Sequence, residues 1–145
     1  MIFEVSKVSA AIDQLDWAIK LFLDHQAYIP AITLAGAAEE ILSKPICDQA
    51  ALQLLKKKLS KDYLLEEKDV ADNHLNKSKN WLKHGSASKI DEKIEAELDE
   101  DAIQMITRAL INLVTYDGSF PSEGVRFLEW TQLNRQDVAG ETHHI

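Results

Sequence analysis

Apolar residues recur every three or four positions along most of the chain, which is the period of the buried face of an α-helix. The pattern predicts six helices and no strand, spanning about residues 6–25, 30–43, 48–60, 66–84, 99–116 and 121–134. Five glycines and three prolines are too few for the many turns of a β-sandwich. We therefore expect an all-α fold, a single up-and-down bundle of five to six helices.

A few residues indicate how these helices end and pack. Asp48 is a suitable N-cap for the third helix. Gly36 lies in an alanine-rich stretch of the second helix, where a glycine is expected only if another helix approaches closely. We expect the first, second, fourth and fifth helices to build the core, with the three tryptophans, Trp17, Trp81 and Trp130, as anchors.

Length and charge narrow the class of protein. The chain has 145 residues, with 16 Lys and Arg against 24 Asp and Glu, for a net charge of −8. No linker or repeat divides it, so we expect one domain over residues 1–134 and a frayed tail over residues 135–145. The acidic balance argues against broad nucleic-acid binding, which depends on neutralising phosphates, and we expect no DNA partner. The first residues lack the charged and apolar regions typical of a signal peptide, and the longest uncharged stretch is too short to span a bilayer, so we expect a cytoplasmic protein without membrane contact.

The sequence offers no pattern typical of a metal or cofactor site. A di-iron bundle needs Glu-x-x-His pairs on two helices, and none occurs. No glycine-rich phosphate loop is present. The single cysteine, Cys47, has no histidine close in sequence, and we expect it to be buried as a small apolar residue. We expect neither a metal nor a cofactor.

The predicted fourth helix carries an unusual set of polar residues. Four of them occupy positions i, i+4, i+7 and i+11 and so line one stripe: Asn73, Lys77, Asn80 and His84. Lys79 and Lys83 lie beside it. One interpretation is an anion or phosphate site, with His84 as an acid or base. The other, which spacing alone favours, is a solvated helix face whose C-terminal histidine interacts with the helix dipole.

Two segments of the chain resemble the HEPN superfamily. Residues 76–84, NKSKNWLKH, are similar to its signature, which is an Arg, a polar residue that is often Asn, three further residues and a His. Lys79 takes the Arg position, Asn80 the polar position and His84 the His position. Residues 32–42, ITLAGAAEEIL, are similar to the second helix of small bacterial proteins of this kind.

The resemblance implies a HEPN-like bundle that forms a homodimer and acts as a metal-independent ribonuclease. It implies that His84 transfers protons as the ribose 2′-hydroxyl attacks the adjacent phosphate. Asn80 then orients the site, and Lys79 stabilises charge on the phosphate. Further candidates for binding RNA are Lys77, Lys83, Asn73 and Glu40.

Lys79 departs from the superfamily pattern, and three hypotheses stay open. Lysine is a point charge on a flexible stem, whereas arginine presents a planar fork to phosphate oxygens. Many HEPN members have lost catalysis. The chain is therefore a domain that binds and cleaves RNA, an inactive interaction or scaffold module with a partner protein, or a structural helical protein without a site. The first hypothesis places the motif residues in a symmetric cleft, and the second splits, buries or occludes them.

Two adjacent acidic residues, Glu39 and Glu40, interrupt the apolar second helix. One of them could hold Lys79 or His84 by an ion pair. Adjacent helical residues point about 100° apart, so we expect at most one to face a given cleft. We favour the interpretation in which one points to solvent and the other pairs within the bundle.

Overall fold

The computed structural model describes residues 1–84 and 90–138, which form helices and connecting turns. The elements are α1 (Lys7–His25), α2 (Tyr28–Ser43), a 3₁₀ turn (Cys47–Gln49), α3 (Ala51–Tyr63), α4 (Glu67–Asp69), a π-helical segment (Val70–Leu75), α5 (Lys77–Lys83), α6 (Leu98–Asp117) and α7 (Gly124–Asn134). No strand occurs in the described ranges, and the prediction of an all-α helical bundle is confirmed. Within those ranges no helix combines the length and the apolarity needed to cross a bilayer.

The first helix begins and ends where its sequence predicts. The Ser6 hydroxyl accepts a hydrogen bond from the backbone N–H of Ser9 at 3.0 Å, which satisfies one of the free donors at the start of α1. Gln26 ends the helix in the left-handed region, with φ 50°. A short connection then leads to α2, so the two helices pack side by side.

The core lies around α2, which packs between α1 and α6. Its fully buried residues come from α1, α2, α6 and α7. The ring of Phe22 lies edge-on to Trp130, with centroids 5.0 Å apart, and also contacts Phe127. The prediction that the fourth helix builds the core is wrong, because among the described residues of that region only Leu82 packs against this cluster, at its edge, and the buried Val70 lies outside it.

The start of the third helix is set by another helix. Asp48 was expected to cap it, but that residue lies in the 3₁₀ turn and α3 begins only at Ala51. The side chain of Asn112 on α6 supplies the cap, since its Oδ1 accepts the N–H of Ala51 at 2.9 Å. Cys47 is exposed and has φ 50°, so the expectation that it is buried is also wrong.

The predicted fourth helix is broken. The chain passes from α4 into the π-helical segment, then leaves helical geometry at Asn76, where φ is −117° and ψ is 11°. Only α5 continues beyond that point, and it ends at Lys83. The four-residue stripe predicted for one continuous helix is therefore split, with Asn73 on the π-helical segment and the other members at or beyond the start of α5.

The packed domain continues past Asn134. Arg135 donates to Oε1 of Glu100 at 2.5 Å, and Val138 is 9% exposed and belongs to the core cluster. The predicted frayed tail thus overlaps residues that contact the bundle. The rest of that tail, residues 139–145, lies outside the described residues.

Candidate functional site

Lys79 lies across the second helix at Gly36. A Cβ built at Gly36 would lie only 3.1 Å from Cδ of Lys79, 3.2 Å from Cγ and 3.3 Å from Cε. The aliphatic stem of the lysine therefore occupies the space that a side chain at Gly36 would need. The predicted close approach at Gly36 is confirmed, and it is made by one side chain of α5.

The ammonium group of Lys79 ends between two carboxylates. Its Nζ lies 2.7 Å from Oε1 of Glu40 and 3.7 Å from Oε1 of Glu39. Lys79 is 7% exposed and Glu39 is 1% exposed. The expectation that only one of the two acidic residues could face a given site is wrong. The two acidic residues lie one helical turn after Gly36 on α2. The long, flexible side chain of Lys79 passes Gly36 and places its ammonium group within reach of both carboxylates.

Lys83 extends the same network towards solvent. Its Nζ lies 3.2 Å from Oε2 of Glu40. Partial burial raises the pKa of the Glu40 carboxyl, but its hydrogen bonds and charge contacts with Lys79 and Lys83 outweigh burial, so that this pKa lies below its ordinary value. Glu40 in its ionised form therefore binds two cations of α5. We call α5 the motif helix, because it carries most of the signature-like segment.

Arg108 closes the network on the inner side and was not predicted. It is fully buried on α6 and forms an ion pair with Glu39. Its guanidinium also donates to the backbone oxygen of Leu75 at 3.1 Å and to Oδ1 of Asn76 at 2.9 Å. Burial holds the pKa of Arg108 below its ordinary value, and Glu39 partly offsets this effect. A charged residue within an apolar stretch of α6 was the available signal, since a buried charge needs a partner.

The other candidates on α5 form its outer face. Lys77, Trp81 and His84 follow at helical spacing and are exposed, and Asn80 beside them is half-buried. Neither Asn80 nor His84 makes a side-chain hydrogen bond or ion pair to another residue within 1–84 and 90–138. The backbone N–H of His84 donates to the Asn80 oxygen at 2.9 Å. In the part of the chain that the structure describes, no side-chain bond therefore occupies Asn80 or His84 on this outer face.

Two of the expected core tryptophans are on the surface. Trp17 is 50% exposed, with Nζ of Lys20 lying 4.5 Å from its ring centroid, and Trp81 is 37% exposed. The prediction that they anchor the core is wrong for both and holds only for Trp130, which packs against Phe22. An exposed indole at Trp81 gives the outer face of α5 a large apolar centre.

Asn73 does not join the motif helix. Its Nδ2 donates to Oδ1 of Asp69 at 2.5 Å, within the preceding segment. The break at Asn76 separates it from Lys77, Asn80 and His84. The prediction that all four share one stripe is therefore wrong, and the physical reason is the tertiary contact of Arg108 at the break.

The arrangement limits the chemistry that the motif can perform. The HEPN resemblance implies that the positive charge of Lys79 stabilises a phosphate. In the structure this charge is paired with the carboxylates of Glu39 and Glu40. His84 lies at the exposed end of α5 with no described carboxylate to orient it. Among residues 1–84 and 90–138, no three His, Cys, Asp or Glu side chains come together as metal ligands.

By its fold, the protein belongs to the class of small helical bundles. In it, a partly buried cluster of ion pairs holds α5 against α2. Comparisons with models of protein families, with curated proteins and with solved structures found no match.

Proposed function

We propose that this chain is a HEPN-like interaction module that forms a homodimer and does not cleave RNA. The observation that carries the proposal is the burial of Lys79 between Glu39 and Glu40. In this arrangement the residue at the motif Arg position fastens α5 to α2. It is a positioning residue rather than a phosphate ligand.

The energetics favour the fastened state. A phosphate could take the Lys79 charge only if the ammonium left both carboxylates. Removing one partner from a buried ion pair destabilises a protein by about 3–5 kcal/mol. Glu40 is about half exposed and keeps Lys83, so the loss here lies at the lower end of that range or below it. A lysine held in this way supplies little stabilisation of charge that develops on a transition state.

The first test is metal-free RNA cleavage. The native chain, His84→Ala and Lys79→Arg are incubated with a mixed pool of RNAs in EDTA, and 2′,3′-cyclic phosphate ends are measured. We expect no cleavage by any of the three, including the variant that restores the motif Arg, because Glu39 and Glu40 pair with either cation. Cleavage by the native chain that is lost in His84→Ala would overturn the proposal.

The outer face of α5 is the proposed dimer contact. Exposed tryptophans are enriched at the energetic centres of protein interfaces, and Trp81 has polar neighbours on both sides. Light scattering after gel filtration should give a dimer for the native chain and a monomer for Trp81→Ala. Trp17→Ala is the matched control, because it removes a more exposed indole from α1. A native monomer at micromolar concentration, or an equal effect of both variants, would contradict this contact.

RNA binding without cleavage is a second candidate for the same face. Lys77, Trp81 and His84 place a cation, a stacking surface and an imidazole on one side of α5. Stacking on an aromatic side chain contributes about 1–3 kcal/mol per base. Anisotropy of a labelled single-stranded RNA should then fall with salt, and Lys77→Ala should weaken binding while Lys57→Ala on α3 should not. Binding that is unchanged in Lys77→Ala and Trp81→Ala would exclude this face.

A further inference from the structure

A large apolar cavity lies between α3 and α6, away from the outer face of α5. Its volume is about 580 Å³, within the range of small-molecule sites. The wall is formed by α3, the π-helical segment, α6 and the residues that follow α7. Most of it is aliphatic, with six large contributors: Leu54, Leu55, Leu59, Leu75, Ile103 and Ile111. The cavity is thus shaped for an apolar body.

Two buried polar side chains in the wall each have one atom without a hydrogen-bond partner among the described residues. Thr107 and Arg108 both line the cavity, and they are 4% and 2% exposed. Oγ1 of Thr107 and Nε of Arg108 have no hydrogen-bond partner within residues 1–84 and 90–138. Most buried polar atoms in folded proteins have a partner, so two orphans side by side on one wall point to a missing acceptor.

The charges near this wall favour an anion. The ion-pair network behind it joins three cations to two anions: Lys79, Lys83, Arg108, Glu39 and Glu40. Lys58 lines the cavity as an exposed cation. The two acidic residues of the lining, Glu100 and Asp137, are already bonded to Arg135. A negative group that enters the cavity is therefore not opposed by a free carboxylate among the lining residues.

We propose that this cavity binds an amphipathic carboxylate, a linear aliphatic acid. The aliphatic chain lies against the leucine and isoleucine wall, and the carboxylate accepts hydrogen bonds from Thr107 Oγ1 and Arg108 Nε. A guanidinium N–H only donates, so an acceptor-only head group fits it and an ammonium head group does not. Four segments line the cavity, and the two unpartnered donors on its wall call for a single acceptor group at one end of an apolar body, which suits a small amphipathic molecule.

The probes for a test are decanoate, decanol and decyltrimethylammonium, each below its micelle concentration and titrated calorimetrically into the full chain. They share an apolar chain and differ in the charge of the head group. We expect decanoate to bind with one-to-one stoichiometry and about tenfold more tightly than decanol, because a charged acceptor forms the stronger hydrogen bonds. Decyltrimethylammonium should not bind. Equal binding of all three would overturn the proposal, since it would indicate unspecific apolar adsorption.

Two variants locate the binding. Thr107→Val keeps the shape of the side chain and removes its hydroxyl, so decanoate should weaken about tenfold while decanol changes little. Thr115→Val, on an exposed position of the same helix, is the matched control and should change neither. Leu55→Trp fills the cavity and should abolish binding of both probes, with circular dichroism to confirm folding. Unchanged decanoate affinity in Thr107→Val would overturn the proposal, as would binding of an amphipathic helical peptide in place of decanoate.

Discussion

Adding one methyl group at Gly36 tests whether Lys79 is the fastener of the motif helix. In Gly36→Ala the new Cβ would contact Cγ, Cδ and Cε of Lys79 at 3.1 to 3.3 Å. These contacts are tight but not impossible, and the neighbour is a flexible stem rather than backbone. The lysine must therefore shift by a few tenths of an ångström, away from the position in which its ammonium reaches Glu40.

The size of the effect follows from two opposing terms. Alanine is preferred over glycine within a helix by about 1 kcal/mol. Against this, forcing a side chain off its rotamer costs about 1 kcal/mol, and weakening a charge-assisted hydrogen bond costs about 1 kcal/mol more. In the native background Gly36→Ala should therefore be neutral or destabilise by about 1 kcal/mol. In a Lys79→Ala background it should stabilise by about 1 kcal/mol, because only the helix preference remains.

The assay is a double-mutant cycle on the free energy of unfolding in urea. The expected coupling between Gly36→Ala and Lys79→Ala is about 1–2 kcal/mol. Lys83→Ala is the matched control, because Lys83 also pairs with Glu40 but supplies none of the three atoms nearest to a Cβ at Gly36. That second cycle should be additive within about 0.5 kcal/mol. A coupling for Lys79 no larger than that for Lys83 would refute the placement of the lysine stem over Gly36.

Three further predictions concern other parts of the bundle. The pKa of Glu40 is lower in the folded state than its ordinary value of 4.5. The ion pairs of Glu40 therefore stabilise the fold above that ordinary pKa, and this stabilisation is lost as the pH falls through the folded pKa. The free energies of unfolding in urea of Glu40→Gln and of the native chain should accordingly become equal in acid. Asn112→Ala removes the cap of Ala51 and should cost about 1–3 kcal/mol, with faster amide exchange in α3. Gln26→Gly should raise the melting temperature, because a glycine adopts the left-handed backbone conformation of this position without the steric strain of a side chain, which amounts to about 1 kcal/mol. A lower melting temperature would contradict this and would show that the hydrogen bond from the Gln26 side chain to the Leu23 oxygen contributes more.

The helices that the sequence predicts well are those with strong local signals. α1 has Ser6 as a cap and a regular apolar stripe, and α6 has an acidic first turn and is capped at its end by Gly118, which adopts φ 77°. The predicted ends of both helices lie within about two residues of the observed ends, which is the usual uncertainty of a helix boundary. Local chemistry decides these elements, so a single sequence is enough to place them.

The break at Asn76 could not be predicted, because no glycine or proline marks it. What holds the chain there is Arg108, which lies far away in sequence and donates to Leu75 and Asn76. The same holds for the cap of α3, which comes from Asn112. Tertiary contacts of this kind leave no periodic signal on the segment that they reshape.

The sequence shows which residues the motif helix carries, but it does not show what lies opposite them. The signature-like spacing of Lys79, Asn80 and His84 is a property of the sequence, and it is unchanged by what lies opposite. Whether Lys79 can meet a phosphate depends on Glu39, Glu40 and the glycine that admits its stem, all of which lie on another helix. A lysine suits this position for a physical reason, since its slim stem passes over Gly36 and its compact ammonium lies between the two carboxylates. The contacts that hold α5 against α2 are therefore the same ones that occupy the charge of Lys79.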